Sequence, residues 1–461
     1  MINRRDFLMR CCSSLGTGAA FASTLGSFNA IAADVSDYKA LVCVFLFGGI
    51  DCHDTIIPYD NQSYNDWEGI REPILASLDA NAPRRRSSLL ELTGADIGGR
   101  QFAFPSEFGS LHQLYQQGQL AVVGNVGPLV ETVTRTTFRN DSAALPPRLF
   151  SHNDQQSIWM ANSPEGARFG WGGRIADFAQ AAMANSDAAF TAISAGGNAV
   201  LLTGETVQAF QVSESGPLAI QNSDSNFVLN SNQFSDAYSE ILRDEGISRT
   251  NLFDRDFVGI RNLGLTANDS LSAALSTGVD PTNPFPDSRL GRQLNIVARI
   301  ISRQATLGAR RQVFFVSTGG FDTHSDQADD LPGLQSNIDA SISAFYTAID
   351  GLNMSDKVTT FTASDFGRTL SVNGDGTDHG WGGHHLVLGG AVNGGQIIGN
   401  IPPAAFNHEF DTGRGRLIPQ ISVDQYAAAL GSWFGLSNTE LMDVLPGLGN
   451  FDGGVFENLF V

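Results

Sequence analysis

Short, almost uninterrupted apolar runs recur along this chain, each with glycine, aspartate and histidine close behind it. Ala40 to Phe47 leads into Gly48-Gly49-Ile50-Asp51-Cys52-His53-Asp54, and Val313-Phe314-Phe315-Val316 leads toward Gly319-Gly320-Phe321-Asp322-Thr323-His324. Val358-Thr359-Thr360-Phe361-Thr362 leads into Ser364-Asp365-Phe366-Gly367-Arg368, with Asp378-His379-Gly380 following. A strand that is apolar at every position has both faces covered, the habit of parallel sheets packed between helices. The polar clusters then fall where strands end and loops begin, the edge at which α/β sheets build sites.

The intervals between these runs read as helices. Leu290, Leu294, Val297 and Ile301 lie at helical spacing within Arg289 to Leu307, and Leu334 to Leu352 is a second amphipathic stretch. Glu107 to Gln117 predicts a helix entering a strand at Leu120 to Gly124, and Phe190-Thr191-Ala192-Ile193 a weaker strand. His385 to Leu388 and Gln396 to Ile398 read as late strands, and Ser422 to Phe434 as a closing helix. This alternation predicts an α/β fold with a mainly parallel sheet flanked by helices. Residues from about 200 to 285, rich in Ser, Asn, Asp and Gly and ending in Pro-Thr-Asn-Pro-Phe-Pro, read as an inserted, loop-rich cap region with short helices.

The N-terminus, Asn3-Arg4-Arg5-Asp6-Phe7-Leu8 followed by a weakly apolar stretch closing at Ala30-Ile31-Ala32, resembles a twin-arginine export signal with an A-x-A cleavage site. Gly16, Gly18, Ser23 and Gly26 make that stretch too short and too polar for a permanent span. The expectation is a signal over 1–32, a domain over 33–461, passage through the twin-arginine machinery, and a periplasmic or secreted location. Without residues 1–32 the chain keeps 25 basic and 47 acidic side chains, which argues against nucleic acid and anionic membrane surfaces as partners. Only Lys39 and Lys357 are lysines, so nearly all positive charge is arginine. That suits oxyanion recognition, and it also suits a merely solubilising surface. Cys43 and Cys52, nine residues apart across a predicted strand, are out of bridging reach of each other and are expected as free thiols.

Asp322, His324, Asp365 and His379 offer oxygen and nitrogen ligands from separate strand ends, and Asp51 or Asp54 could add another. Mixed carboxylate and imidazole ligation suits zinc, manganese or iron better than calcium. Ser151 opens a helix with Asp154 three residues on, and reads either as a nucleophile at a helix N-terminus or as an ordinary Ser cap. His152 is a ligand, a general acid or a packed residue. Arg174 and Arg368 are oxyanion clamps or structural ion-pair partners.

The run Gly-Gly-x-Asp after the first strand, Gly-Gly-Phe-Asp-Thr-His-Ser-Asp-Gln at 319–327, Ser-Asp-Phe-Gly-Arg-Thr at 364–369 and Thr-Asp-His-Gly-Trp-Gly-Gly at 377–383 resemble the signature of an exported bacterial family. It is known as domain-of-unknown-function family 1501 and is grouped with the alkaline phosphatase and sulfatase superfamily. The resemblance implies an alkaline-phosphatase-like core, divalent metal held by Asp and His at strand ends, and ester hydrolysis through a nucleophile at a helix N-terminus. It places Asp51 as the first-strand metal ligand, Asp322 and His324 as the later Asp/His pair, Asp365 as the Asp of an Asp-His doublet and His379 as the final His. Phe366 stands where the doublet's His is expected, so one metal is expected rather than two. Neither the formylglycine motif, a P-loop nor a G-x-S-x-G elbow occurs.

These features predict an exported metal-dependent hydrolase of a phosphate or sulfate ester, acting on a small molecule or a polymer. Ser151, His152 and Arg368 would be catalytic, and Asp51, Asp322, His324, Asp365 and His379 would hold the cation. The alternative is a non-catalytic exported binding or structural protein that keeps the fold.

Overall fold

The computed structural model describes residues 35–78, 83–218, 252–278, 280–281 and 284–461. The expected twin-arginine signal and part of the expected cap region lie outside the described residues. In chain order the strands of the central sheet are β1 (Lys39–Leu46), β2 (Leu120–Gly127), β3 (Ala192–Ser194), β4 (Phe210–Gln211) and β5 (Arg311–Thr318). They continue with β6 (Val358–Ser364), β7 (Gly383–Leu388), β8 (Ile397–Gly399) and β9 (Ile421–Ser422). Across the sheet the order is β8-β2-β7-β6-β1-β5-β3-β4, with β9 also beside β2. Every pairing is parallel except those of β7, which runs antiparallel to both β2 and β6. The fold is the expected mainly parallel α/β sheet flanked by helices.

β1 shows why the sheet is buried on both faces. Ala40, Val42, Val44 and Leu46 enter one apolar cluster, while Leu41, Cys43 and Phe45 enter the other. The first cluster is closed by Leu290, Leu294, Val297 and Ile301 of helix Arg289–Ser302 and by Ile338, Ile342 and Phe345 of helix Gln327–Gly351. The second is closed by Trp171 and Ile175 of helix Trp171–Ala181 and by Tyr426, Leu430 and Phe434 of helix Val423–Phe434. Each large aliphatic or aromatic side chain buried this way contributes about 1.5–3 kcal/mol. The closing helix starts with a capping box in which Ser422 and Gln425 exchange side-chain and backbone hydrogen bonds. Cys43 and Cys52 are free and buried.

Two of the longer helices differ from expectation. The stretch expected as a cap holds a 26-residue helix, Leu252–Thr277, where short helices were expected. Its polar composition masks a buried stripe that includes Ala267, Leu271 and Ala274. Helix Asn61–Leu78, not anticipated, buries Tyr64, Trp67, Arg71, Ile74, Leu75 and Leu78. Among the described residues no helix is long and apolar enough to cross a membrane.

Candidate metal centre

β6, β1 and β5 are adjacent and parallel, so the loops leaving their carboxyl ends meet. These loops carry Asp365, Gly48 and Asp322, and they face a two-stranded ribbon, Arg368–Val372 with Thr377–His379, in which Arg368 pairs with His379. His152 comes from elsewhere, as the first residue of helix His152–Ala161.

His152, Asp322 and His379 each aim one donor atom into a common space, all within 4.8 Å of one another. His152 Nδ1 donates to Asp365 Oδ2 at 2.6 Å, which leaves the Nε2 lone pair facing the site. Nε2 is buried without a hydrogen-bond partner and lies 3.4 Å from Asp322 Oδ2. His379 Nδ1 donates to the Phe150 carbonyl at 2.8 Å, so its Nε2 carries the lone pair, 3.2 Å from Asp322 Oδ1. His324 adjoins the group, with Nε2 2.8 Å from His379 Nε2 and 3.1 Å from Asp322 Oδ1. A buried imidazole nitrogen with no partner is costly unless something binds it. Two or three imidazoles with one carboxylate are a donor set for zinc, iron or manganese, and the residues fit such an ion.

Fixed groups stand behind the donors. Asp365 is fully buried, and its Oδ2 accepts from His152, from Gln156 Nε2 at 2.8 Å and from Gly48 N at 3.2 Å, while Oδ1 has no partner. A carboxylate that grips the far nitrogen of a ligating histidine sets its tautomer and raises its basicity. Arg368, also fully buried, donates from Nη1 to Asp322 Oδ1 at 3.0 Å and to the Gly48 carbonyl at 2.9 Å. Its Nε donates to Thr377 Oγ1 and its Nη2 to the Thr377 carbonyl, so its donors point into the protein. The hydrogen bond to Asp365 raises the His152 pKa against the opposing effect of burial. Partial burial pushes Asp322 upward, but the bond and charge of Arg368 outweigh it and hold the carboxyl below its ordinary range. Burial lowers His379.

The remaining sequence candidates have other company. Asp51 is buried in an ion pair with Arg71 and accepts from Gln327 Nε2 at 2.5 Å, and Asp54 is gripped by Arg84 at 2.9 Å. Ser151 occupies the N-cap position but makes no capping bond; its hydroxyl donates to Asp154 Oδ2 at 2.9 Å. Arg174 donates to the Val444 and Asp443 carbonyls. Phe366 packs at a tilt against both His152 and His379, with ring centroids 4.8 and 4.7 Å away. Sequence reasoning did not single out Gln156, although its place four residues after His152 puts it on the same helix face.

Gly48 locks this arrangement. Its φ of +117° suits glycine, and a Cβ there would stand 2.3 Å from the Asp322 backbone nitrogen. Gly48→Ala is expected to lower the unfolding midpoint through backbone strain and overpacking, each on the order of 1–3 kcal/mol. Denaturant titration checks this, and an unchanged midpoint would show that the loop can shift at no cost.

The fold and site together define a mainly parallel α/β protein with an Asp/His cluster at the carboxyl ends of its central strands. A family model described as "Protein of unknown function (DUF1501)" matches residues 38–414, and the chain belongs to that family. No curated protein matches the sequence. Among solved structures it is similar to PsFucS1 sulfatase from Pseudoalteromonas sp., at 9% identity over 92% of this chain and 72% of that one, with a TM-score of 0.37. It is also similar to Ps i-CgsB in complex with k-i-k-neocarrahexaose, at 9% identity over 90% of this chain and 77% of that one, with a TM-score of 0.35.

Proposed function

We propose that this protein is a metal-dependent hydrolase of a phosphate or sulfate ester. The supporting observation is the convergence of His152, Asp322 and His379 around a buried, unpartnered imidazole nitrogen. In this reading His152, Asp322, His379 and His324 hold one divalent cation, zinc, manganese or iron. Asp365 and Arg368 orient His152 and Asp322. When bound, the cation supplies Lewis acidity toward an ester oxygen. Ser151 is the proposed nucleophile, because its hydroxyl already donates to Asp154 and does not cap the helix. Attack would form the serine oxygen–phosphorus or oxygen–sulfur bond and break the bond to the ester oxygen, the serine proton passing through Asp154 to the departing alcohol; water would then cleave the seryl ester and release phosphate or sulfate. The Asn3-Arg4-Arg5-Asp6-Phe7-Leu8 motif supports export by the twin-arginine route to the periplasm or beyond.

The test measures metal content of chelator-free protein by elemental mass spectrometry, then hydrolysis of aryl phosphate and aryl sulfate. About one equivalent of transition metal with turnover of either ester is expected, and Ser151→Ala should keep the metal while losing turnover. Absence of metal in folded protein would overturn the reading. Phe366, an apolar ring packed against two of the donors, favours a second reading as a non-catalytic binding protein. Bound metal without turnover of either ester would support it.

A further inference from the structure

An anionic ester approaching this centre meets Asp322 and Asp378 in a chain of formal net charge −20, so a positive side chain is needed beside the metal to receive it. Most nearby arginines are already engaged. Arg368 points inward, Arg414 pairs with Asp378 at 2.6 Å, and Arg148 lies 3.4 Å from Asp154.

Arg416 differs. Its Nε donates to the backbone carbonyl of His379 at 2.7 Å, and its guanidinium lies 5.1 Å from the ring centre of Phe150, whose own carbonyl holds His379 Nδ1. It is thus tied twice to the residue that aims a donor into the centre. Among the described residues it makes no direct ion pair, and neither Nη1 nor Nη2 has a hydrogen-bond acceptor, although the charges of Asp378 and Asp411 reach it through space. The side chain is half-buried.

The loop that presents it is built rather than loose. Buried Asp411 accepts from the backbone N–H groups of Gly413 and Gly415 at 2.7 and 2.9 Å, and of Asn407 at 2.8 Å. The Gly415 carbonyl receives His53 Nε2 at 3.1 Å, and the Arg414 carbonyl receives Ser371 N at 3.1 Å. At Gly415, with φ of +72°, a Cβ would stand 2.3 Å from that of Leu370, so the close approach requires glycine. A guanidinium fixed through Nε, with both terminal nitrogens open, matches two oxygens of a tetrahedral oxyanion.

We propose that Arg416 is the substrate-recognition residue of the centre, its free fork binding two non-bridging oxygens of the phosphate or sulfate group. This rests on the hydrolase reading and extends it to the substrate's charge. The test titrates inorganic phosphate and inorganic sulfate separately into the purified protein by calorimetry, after its metal content is known, and repeats this for Arg416→Gln and Arg174→Gln. Arg416→Gln should weaken anion binding about tenfold or more, by loss of a charge-assisted bidentate contact. Its metal content should be unchanged, and Arg174→Gln should bind as the wild type does. Tighter binding of phosphate or of sulfate assigns the ester class, and equal binding assigns the tetrahedral oxyanion they share.

Wild-type affinity in Arg416→Gln, or metal-loaded wild type that binds neither anion, would overturn the proposal. Folded protein without metal overturns the hydrolase reading, while the same titrations still decide for or against Arg416, because its charge does not depend on a bound cation. Should Arg416→Gln fail to fold, phenylglyoxal labelling of the wild type, read by peptide mass spectrometry, decides instead. Protection of Arg416 by phosphate or sulfate is expected, and labelling unaffected by either anion would overturn the assignment.

Discussion

Replacing Asp365 by alanine is expected to weaken metal retention and ester turnover strongly while the chain still folds. The carboxylate is wholly buried and serves three donors at once: His152 Nδ1, Gln156 Nε2 and the Gly48 N–H. Without it His152 loses the partner that fixes its tautomer, and its Nε2 no longer aims reliably at the space shared with Asp322 and His379. Loss of such a supporting partner typically weakens metal affinity by about 10–100-fold. The alanine also strands the buried donors, at about 1–3 kcal/mol each. Asp365→Asn keeps the volume and an acceptor oxygen but not the charge, so it should retain more stability than Asp365→Ala while still losing metal affinity. Metal content by elemental mass spectrometry, alongside a denaturant titration, separates the two effects. Normal metal content in both variants would refute the role of Asp365 in the centre.

Arg71→Met is expected to produce the largest loss of stability. Arg71 and Asp51 are both buried and form an ion pair that helix Asn61–Leu78 brings to the loop after β1. Methionine replaces the length of the arginine but leaves the Asp51 carboxylate buried against Gln327 without its ion-pair partner. Breaking one side of a buried pair typically costs about 3–5 kcal/mol. Asp51→Asn/Arg71→Met should recover part of that loss, because no lone charge then remains. Chemical denaturation of the two single variants and the double variant gives the coupling directly. Strict additivity would show that the pair contributes nothing beyond its separate contacts.

The same Asp51 shows where sequence reading stopped. Its place after the first strand in a Gly-Gly-x-Asp run made it a ligand candidate beside Asp54, and nothing local distinguished the two. The structure pairs Asp51 with Arg71 and Asp54 with Arg84, partners that lie on and beyond a helix the apolar pattern did not disclose. His152 is the converse. Its local setting was compatible with a ligand, a general acid or a packed residue, and only the docking of helix His152–Ala161 against the end of β6 brings it within 2.6 Å of Asp365, 213 positions away. Ser151 read equally well as a cap, yet its hydroxyl turns to Asp154 instead.

The strand ends were legible because a buried parallel strand must be apolar throughout, and the chain must turn polar where it leaves the sheet. The alternation of apolar runs with helical spacing therefore determined the mainly parallel α/β fold and the edge at which Asp322, Asp365 and His379 collect. Which carboxylate faces a histidine, which faces an arginine, and which arginine keeps an open fork were decided by the tertiary structure alone. Hydrogen bonds and ion pairs depend on ångström-scale placement of groups far apart in the chain, whereas burial of apolar surface needs only periodicity.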